Sequence, residues 1–362
     1  MQRRYEQYPE AEVFRVNPPR PSSPFVSKAL DMVFGEYARE RGRARYYASL
    51  SYDVLHLHGP LNYSNTVATG PLFYPFYDRQ AWTRVSKPVL FTFHGLSEVI
   101  LKHHYPNAIL SPYFDLWKRI ERKNIDKAAR VIVVDRYAYQ ELKRRPGINP
   151  DKLVFLLNGI DTRLFFPMPK SQAVQQLNRQ LGLSLDQDRP ILAFINRLTK
   201  DKGIEHLFYL VSRLKGDYTL LIVGAGKYQA DVEALARADP RVVYLGSIAQ
   251  ELLPLVLNAA DLTINPTLNP GALRVNMESI ACHTPVVTYH SGDRFPTEHG
   301  RTGWLYRTPN DLVRFVQAFI NRRELRGFAH LDQDCRQAVK YFDLRKVSAR
   351  ILQLYIEISE EG

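Results

Sequence analysis

The chain has 362 residues, 45% hydrophobic and 24% charged, which excludes a disordered or collagen-like polypeptide and points to two domains of ordinary size. Its net charge of +12 is unevenly spread: residues 1–170 carry 26 Lys and Arg against 16 Asp and Glu, and the remainder carries 23 against 21. The basic first half suits an anionic membrane surface or polyanion, or is a plain solvated face. Only Cys282 and Cys335 are present, too few for a disulfide framework or a structural zinc site. No apolar run approaches the ~20 residues of a spanning helix, and MQRRYEQYPE lacks the apolar core of a signal peptide. The expectation is a soluble cytoplasmic protein.

In chain order, periodicity gives strands at residues 12–16, 54–58, 89–94, 131–135 and 153–157, with helical stretches at 25–50, 113–129 and 138–145. A polar, proline-bearing segment at 166–189 reads as a linker. Beyond it, strands at 191–195, 219–223, 242–245, 262–265 and 285–289 alternate with helices at 203–214, 230–238, 252–259 and 275–281. Strand–helix alternation with β-branched, fully apolar strands implies parallel sheets covered on both faces. Two such series predict two Rossmann-like α/β/α domains facing a cleft: 1–165, then 190–343, with a last helix in 344–362 returning to the first domain.

Three stretches carry candidate chemistry. LLIVGAGKYQAD (220–231) has Gly224-x-Gly226 between a strand and a helix, but Gln229 stands where a dinucleotide fingerprint needs its third glycine, and Tyr228 follows Lys227 where a phosphate loop needs Ser or Thr. It reads as a tight turn. LTINPTLNPGALRVNMESIACHTPVV (262–287) runs from a strand through an Asn/Pro/Gly loop into a helix bearing Glu278, and free amides at such a helix start suit a pyrophosphate. Glu278 either accepts from ribose hydroxyls there or is simply a favourable charge near a helix start. AFINRLTKDKGIEHL (193–207) places Arg197 and Lys202 on a strand-to-helix loop, where two cations can clamp a diphosphate and take up charge that develops in a transition state. Alone, that pair is a solvated loop. HxH at His56 and His58 brings two imidazoles to one strand face; with His94, His103 and His104 it lacks a carboxylate or cysteine, and reads as a sheet-end pair rather than a metal site. The run 103–123 reads as an amphipathic helix, with a membrane or glycan surface as the other option.

The ordered series DVLHLHG (53–59), LFTFHG (90–95), RVIVVDRYAYQEL (130–142), LLNGIDTRLFFP (156–167), NRLTKDKGIEHL (196–207), LIVGAGK, VVYLGSI, ADLTINPT, ESIACHTPVV and EHGRTGWLY resembles the retaining, nucleotide-sugar-dependent glycosyltransferases of family four, which have the GT-B fold. The resemblance implies that Arg197 and Lys202 contact the donor diphosphate and support its departure, with Asn196 where glycine is usual. It implies that Glu278 holds the nucleotide ribose and that the amides around Leu273, Arg274 and Val275 face the phosphates, with Gly271 in the same loop. Gly246 and Ser247 begin the loop beside the base, and His94 borders the transferred sugar. The family works without a metal ion or other cofactor.

Two departures stand out. Pro270 occupies the place of the family's first glutamate, which contacts the sugar, and Asn269 is the replacement if the loop is shifted by one residue. Arg274 and Asn276 replace usually apolar residues, and His283 replaces a usual glycine. Arg274 would then pair an anionic group on the sugar. At the start, the family's first strand and glycine-rich loop are not in evidence, so either the start is misplaced or the first domain is shortened. The reading is a retaining hexosyltransferase of polysaccharide biosynthesis, moving a sugar from a nucleotide-diphosphate donor to a glycan or lipid-linked acceptor. A non-catalytic relative that partners an active enzyme, and a nucleotide-sugar epimerase, are the alternatives. A peripheral contact of the basic half with anionic membrane is left open, and nucleic acid is not an expected partner.

Overall fold

The computed structural model describes residues 3–8, 11–15, 52–59, 86–95, 119, 122–123, 125–269, 273–321 and 330–361. The expected helix 25–50 and nearly all of the 103–123 run lie outside these. The chain divides into two compact units: unit 1 comprises Met1–Val134, Tyr139–Phe155 and Ala349–Gly362, and unit 2 comprises Asp135–Ala138 and Leu156–Ser348.

In unit 1, β1 (Arg3–Tyr8) and β2 (Ala11–Arg15) pair antiparallel as a two-stranded sheet. The segment expected as a strand of a parallel sheet is therefore one arm of a hairpin, its partner supplied by the residues just before it. Strands β3 (Leu55–Gly59), β4 (Val89–Phe93), β5 (Arg130–Val133) and β6 (Leu153–Phe155) form a parallel sheet in that order. Leu90, Phe91, Phe93, Val131, Ile132 and Val133 are buried in it, as the apolar runs require. Helix α1 (Arg136–Arg144) follows β5.

Unit 2 begins earlier than the expected second domain. Residues 166–189 are not a free linker: they contain α2 (Lys170–Leu181), which buries Ala173, Val174 and Leu177 on one face. Lys170 Nζ donates to Asp261 Oδ2 at 2.7 Å, and the same carboxylate oxygen accepts the amide of Ile191 at 2.8 Å, tying the helix to the start of the sheet. Then come β7 (Ile191–Ile195), α3 (Ile204–Arg213), β8 (Thr219–Val223), α4 (Gln229–Ala238), β9 (Val242–Gly246), α5 (Leu253–Ala259), β10 (Leu262–Asn265), α6 (Arg274–Ala281), β11 (Val286–Tyr289) and β12 (Gly303–Tyr306). Helices α7 (Pro309–Ile320), α8 (Leu331–Val339) and α9 (Leu344–Glu360) close the chain; α9 belongs to unit 1 from Ala349 on. β12, α7 and α8 went unread in the sequence, although Thr308 and Asp311 form a reciprocal capping box at the start of α7.

The six strands of unit 2 are all parallel, in the order β12-β11-β10-β7-β8-β9. Leu192, Phe194, Leu220, Ile222, Leu262, Ile264 and Val287 form the core with Leu207 and Leu210 of α3 and Leu312 and Val316 of α7. The chain adds β8 and β9 on one side of β7, then returns to add β10 and the rest on the other. The order of addition thus reverses between β7 and β10, and open parallel sheets bind ligands at the carboxyl edge of such a switch point.

The glycines after β8 serve close approach of backbone to backbone. Gly224 has φ 131°, and a Cβ there would lie 1.9 Å from the carbonyl oxygen of Asn196. Gly182, at the end of α2, also has positive φ but faces open space. Gly224→Ala is expected to cost well over 2 kcal/mol, and Gly182→Ala only about 1 kcal/mol, because the first adds a clash to the backbone strain. Denaturant unfolding midpoints of the two variants check this difference.

Candidate functional site

The loop after β7 carries Asn196, Arg197 and, on a tight 3-10 turn at Lys200–Lys202, Lys202. Arg197 is 69% exposed, and its Nη2 lies 3.5 Å from Asp201 Oδ2. Lys202 is only 21% exposed, with its Nζ 3.9 Å from the same oxygen. Burial is the main influence that lowers the Lys202 pKa; Asp201 opposes it, and Arg197 and Arg294 add to it. Two cations thus flank the Asp201 carboxylate, and Arg294 is near enough to act on Lys202, so positive charge is in excess, as an anion site needs.

The loop after β10 faces this turn. Leu268 donates its amide to the Asp201 carbonyl at 3.0 Å, joining the two loops. Helix α6 starts after Leu273, which supplies no side-chain cap, so the first-turn amides of Arg274, Val275 and Asn276 lack the acceptors that mid-helix amides have. Glu278, 5% exposed, lies one turn further on. Burial raises its pKa, opposed by Arg274, whose Nε donates to Glu278 Oε1 at 2.8 Å. Arg274, four residues from Glu278 on the same helix face, is engaged by that carboxylate while its side chain stays 60% exposed. Gly271 and Pro270 lie outside the described residues. Asn269 is described, and its carbonyl accepts from Arg294 Nη1. Gly246 and Ser247 end β9 at the same carboxyl edge; the Gly246 carbonyl accepts from Gly224 N at 2.7 Å, and Ser247 is exposed.

Sequence reasoning missed the groups that support these loops. Arg294 is 1% exposed, and its guanidinium donates to the carbonyls of Thr267 and Tyr289 at 2.7 Å each, to Asn269 O and to Ser291 Oγ. Burial pulls its pKa down to about 10, with Tyr306, Tyr289 and Asp135 opposing. The arginine therefore ties the loop after β10 to the end of β11 and to Ser291. Nothing in HSGDRFP announced this, whereas Asn265, a polar residue ending an otherwise apolar strand, was a readable signal. Asn265 is 1% exposed and Asn276 fully buried; Asn265 Nδ2 donates to Asn276 Oδ1 at 2.6 Å.

His94 belongs to unit 1, just beyond β4. Its ring stacks on that of His58 with the planes 27° apart and His58 Nδ1 3.2 Å from His94 Nε2, and partial burial lowers its pKa. His56 is more enclosed: Nδ1 lies 2.6 Å from Tyr355 Oη and Nε2 2.7 Å from Thr92 Oγ1. Burial, then His58 and His94, push its pKa down to about 3. Among the described residues, no group of three His, Cys, Asp or Glu is placed to hold a metal ion, and no helix is long and apolar enough to cross a membrane.

Residues 3–164 match the profile of "Glycosyltransferase Family 4", and residues 189–322 that of "Glycosyl transferases group 1". Alpha-maltose-1-phosphate synthase of Mycolicibacterium smegmatis is 30% identical over 202 residues, 51% of this chain and 50% of that protein. This chain thus spans half the length of that curated relative. Among solved structures, sucrose-phosphate synthase from Thermosynechococcus elongatus superposes with a TM-score of 0.72 at 20% identity, covering 99% of this chain and 86% of that one. Anabaena HepE, solved in complex with UDP-glucose, gives 0.63 at 20% identity over 87% and 81%. Both show the same two-sheet GT-B fold.

The His56 imidazole stays neutral in the folded protein down to about pH 3, whereas the unfolded chain takes up that proton below about pH 6.5. The unfolded state therefore binds more protons in this window, and stability falls as pH drops from about 6.5 towards 3. Between pH 7.5 and 5.5, His56 should account for a loss of about 1.4 kcal/mol. Unfolding curves at the two pH values should show that part of the slope removed by His56→Gln.

Proposed function

Because the chain belongs to family four of the GT-B glycosyltransferases, we propose that unit 2 binds a nucleotide-diphosphate sugar and that the protein transfers the sugar, with retention, to a hydroxyl of a glycan or lipid-linked acceptor. The observation that carries this reading is the meeting of the loops after β7 and β10 at the point where the strand order of the sheet reverses. There Arg197 and Lys202 lie on one side, and the uncapped start of α6 with the buried Glu278 on the other. Open parallel sheets bind ligands at such a point.

In this reading the diphosphate lies between the two cations and the first-turn amides of Leu273–Val275, and Glu278 accepts from the ribose. Gly246 and Ser247 flank the base, Asn269 borders the sugar in the place of the family's first glutamate, and His94 has the role beside the transferred sugar that the family resemblance implies. The bond from the anomeric carbon to the β-phosphate oxygen breaks, and a bond to the acceptor oxygen forms on the same face. The acceptor proton passes to the departing phosphate. Negative charge grows on the diphosphate as the bond breaks, so contacts from Arg197 and Lys202 strengthen towards the transition state and lower the barrier. No carboxylate in these motifs is placed as a nucleophile, and the charge neutralisation is assigned to side chains with no resident cofactor. Solved neighbours crystallised with UDP and UDP-glucose support a nucleotide sugar as donor.

The acceptor side lies in unit 1, where Arg122, Lys123, Lys143 and Arg144 are exposed. This cluster favours an acceptor presented at an anionic lipid surface, with each basic group contributing about 1 kcal/mol near such a surface.

Thermal unfolding with UDP, GDP, ADP and their sugar conjugates tests the donor site. A ligand at one hundred times its Kd stabilises by about 2.7 kcal/mol, a shift of several degrees. One nucleotide family should give this shift, and Arg197→Ala or Glu278→Gln should abolish most of it. Absence of a shift with every nucleotide would favour a non-catalytic partner protein, and isomerisation of the sugar without an acceptor would mark an epimerase.

A further inference from the structure

The two departures from the family's pattern at Asn196 and Asn276 are parts of one construction. The Arg197 amide donates to Asn196 Oδ1 at 3.1 Å, and Asn196 Nδ2 donates to Asn265 Oδ1 at 3.2 Å. Asn265 Nδ2 donates to Asn276 Oδ1 at 2.6 Å, and Asn276 Nδ2 to Thr297 Oγ1 at 2.9 Å. Three carboxamides are thus aligned head to tail, each accepting at Oδ1 and donating at Nδ2, in a chain that runs from the Arg197 peptide to helix α6. Thr267 braces its middle: Thr267 Oγ1 donates to Asn265 Oδ1 at 2.7 Å and accepts from Asn196 Nδ2 at 3.1 Å. Asn265, Thr267, Asn276 and Thr297 are all buried. In such surroundings hydrogen bonds are directional and polarise one another, and breaking one is costly.

A glycine at 196 would end strand β7 without any of these bonds and leave the Arg197 peptide free to rotate. The asparagine fixes that peptide instead, and refers it to α6, the element that carries Glu278 and the phosphate-facing amides. We propose that Asn196 is a positioning residue for Arg197: through the Asn196–Asn265–Asn276 chain it holds the arginine at a set distance from α6, so that one diphosphate meets both. The proposal rests on the donor-site reading above. Asn196 does this without touching the donor, since its carboxamide is turned towards Asn265, Thr267 and the following amide.

A double-mutant cycle tests it. The affinities of UDP, GDP and ADP are measured by calorimetry for the wild type, Asn196→Ala, Arg197→Ala and the double variant. Loss of the arginine should weaken the nucleotide that binds by about 30-fold, a charge-assisted contact. Loss of Asn196 should weaken it by about 5-fold, as expected for one neutral hydrogen bond acting through the arginine. In the Arg197→Ala background, loss of Asn196 should then cost less than about 2-fold, because nothing is left to position. Asn265 keeps Thr267 as a donor in these variants, so the truncation leaves no buried acceptor unmet. Asn196→Ser, which restores a hydroxyl beside the Arg197 amide, should recover part of the loss.

Thr263→Val separates a local role from general weakening of the same seam. It breaks the Thr263–Ser279 hydroxyl contact of 2.7 Å between β10 and α6 while Ser279 retains the Thr284 carbonyl. Its unfolding midpoint should fall with nucleotide affinity unchanged. An unaltered affinity in Asn196→Ala, or the same fold loss in both backgrounds, overturns the proposal. Arg197→Ala without effect, or no binding of any of the three nucleotides to the wild type, instead overturns the donor-site reading and the proposal with it.

Discussion

The reversal of strand order at β7 is the constraint on which the rest of unit 2 depends. With β8 on one flank and β10 on the other, the connections after β7 and β10 run to opposite sides of the switch point, and the loops that begin them meet at its carboxyl edge. Everything charged in the candidate site is a consequence of where those two loops end. The cationic turn is short because α3 must begin at Ile204 to bury Ile204, Leu207, Leu210 and Val211. The β10 loop leads to a helix of eight residues that must reach β11.

Bringing two loops together at the carboxyl edge leaves backbone polar groups in need of partners, and side chains and a backbone bond between the loops supply them. Arg294 takes the carbonyls of Thr267 and Asn269, Asn196 takes the Arg197 amide, and the Leu268 amide bonds to Asp201. A buried guanidinium and a line of buried carboxamides are expensive to desolvate, and tolerable only because each polar atom in the line is matched. Directional bonding fixes the register of α6 on β10 more tightly than interchangeable apolar contacts would. The bond of Asn265 to Asn276 sets that register at the end of β10.

The regular part of unit 2 was legible because its strands are uninterrupted apolar runs and its helices carry apolar residues three and four apart. Strands β7, β8 and β10 have the bounds read from the sequence, and helices α3 to α6 agree to within a residue at each end. What escaped lacks such a signature. The strand GWLY is four residues long, and α2 begins at a proline with no side-chain cap. The site cations were legible as residue types on a strand-to-helix loop, but not their supports: Arg294 lies in an irregular segment, and its partners are main-chain carbonyls, which no residue pattern records. The same holds for Arg274, whose pairing with Glu278 depends on the helix beginning one residue earlier than the apolar pattern implied.

The residues of the candidate donor site are drawn from positions 196 to 297, and the bonds between them join segments about seventy residues apart in sequence, as with Asn196 and Asn265. Contacts of that separation require the chain to meet the entropy of closing a long loop. No partial assembly of unit 2 that lacks β10 can present both cations and α6 together. A nucleotide that needs both therefore distinguishes the finished sheet from every shorter intermediate, and its binding energy is linked to completion of the whole parallel array rather than to the ordering of one loop.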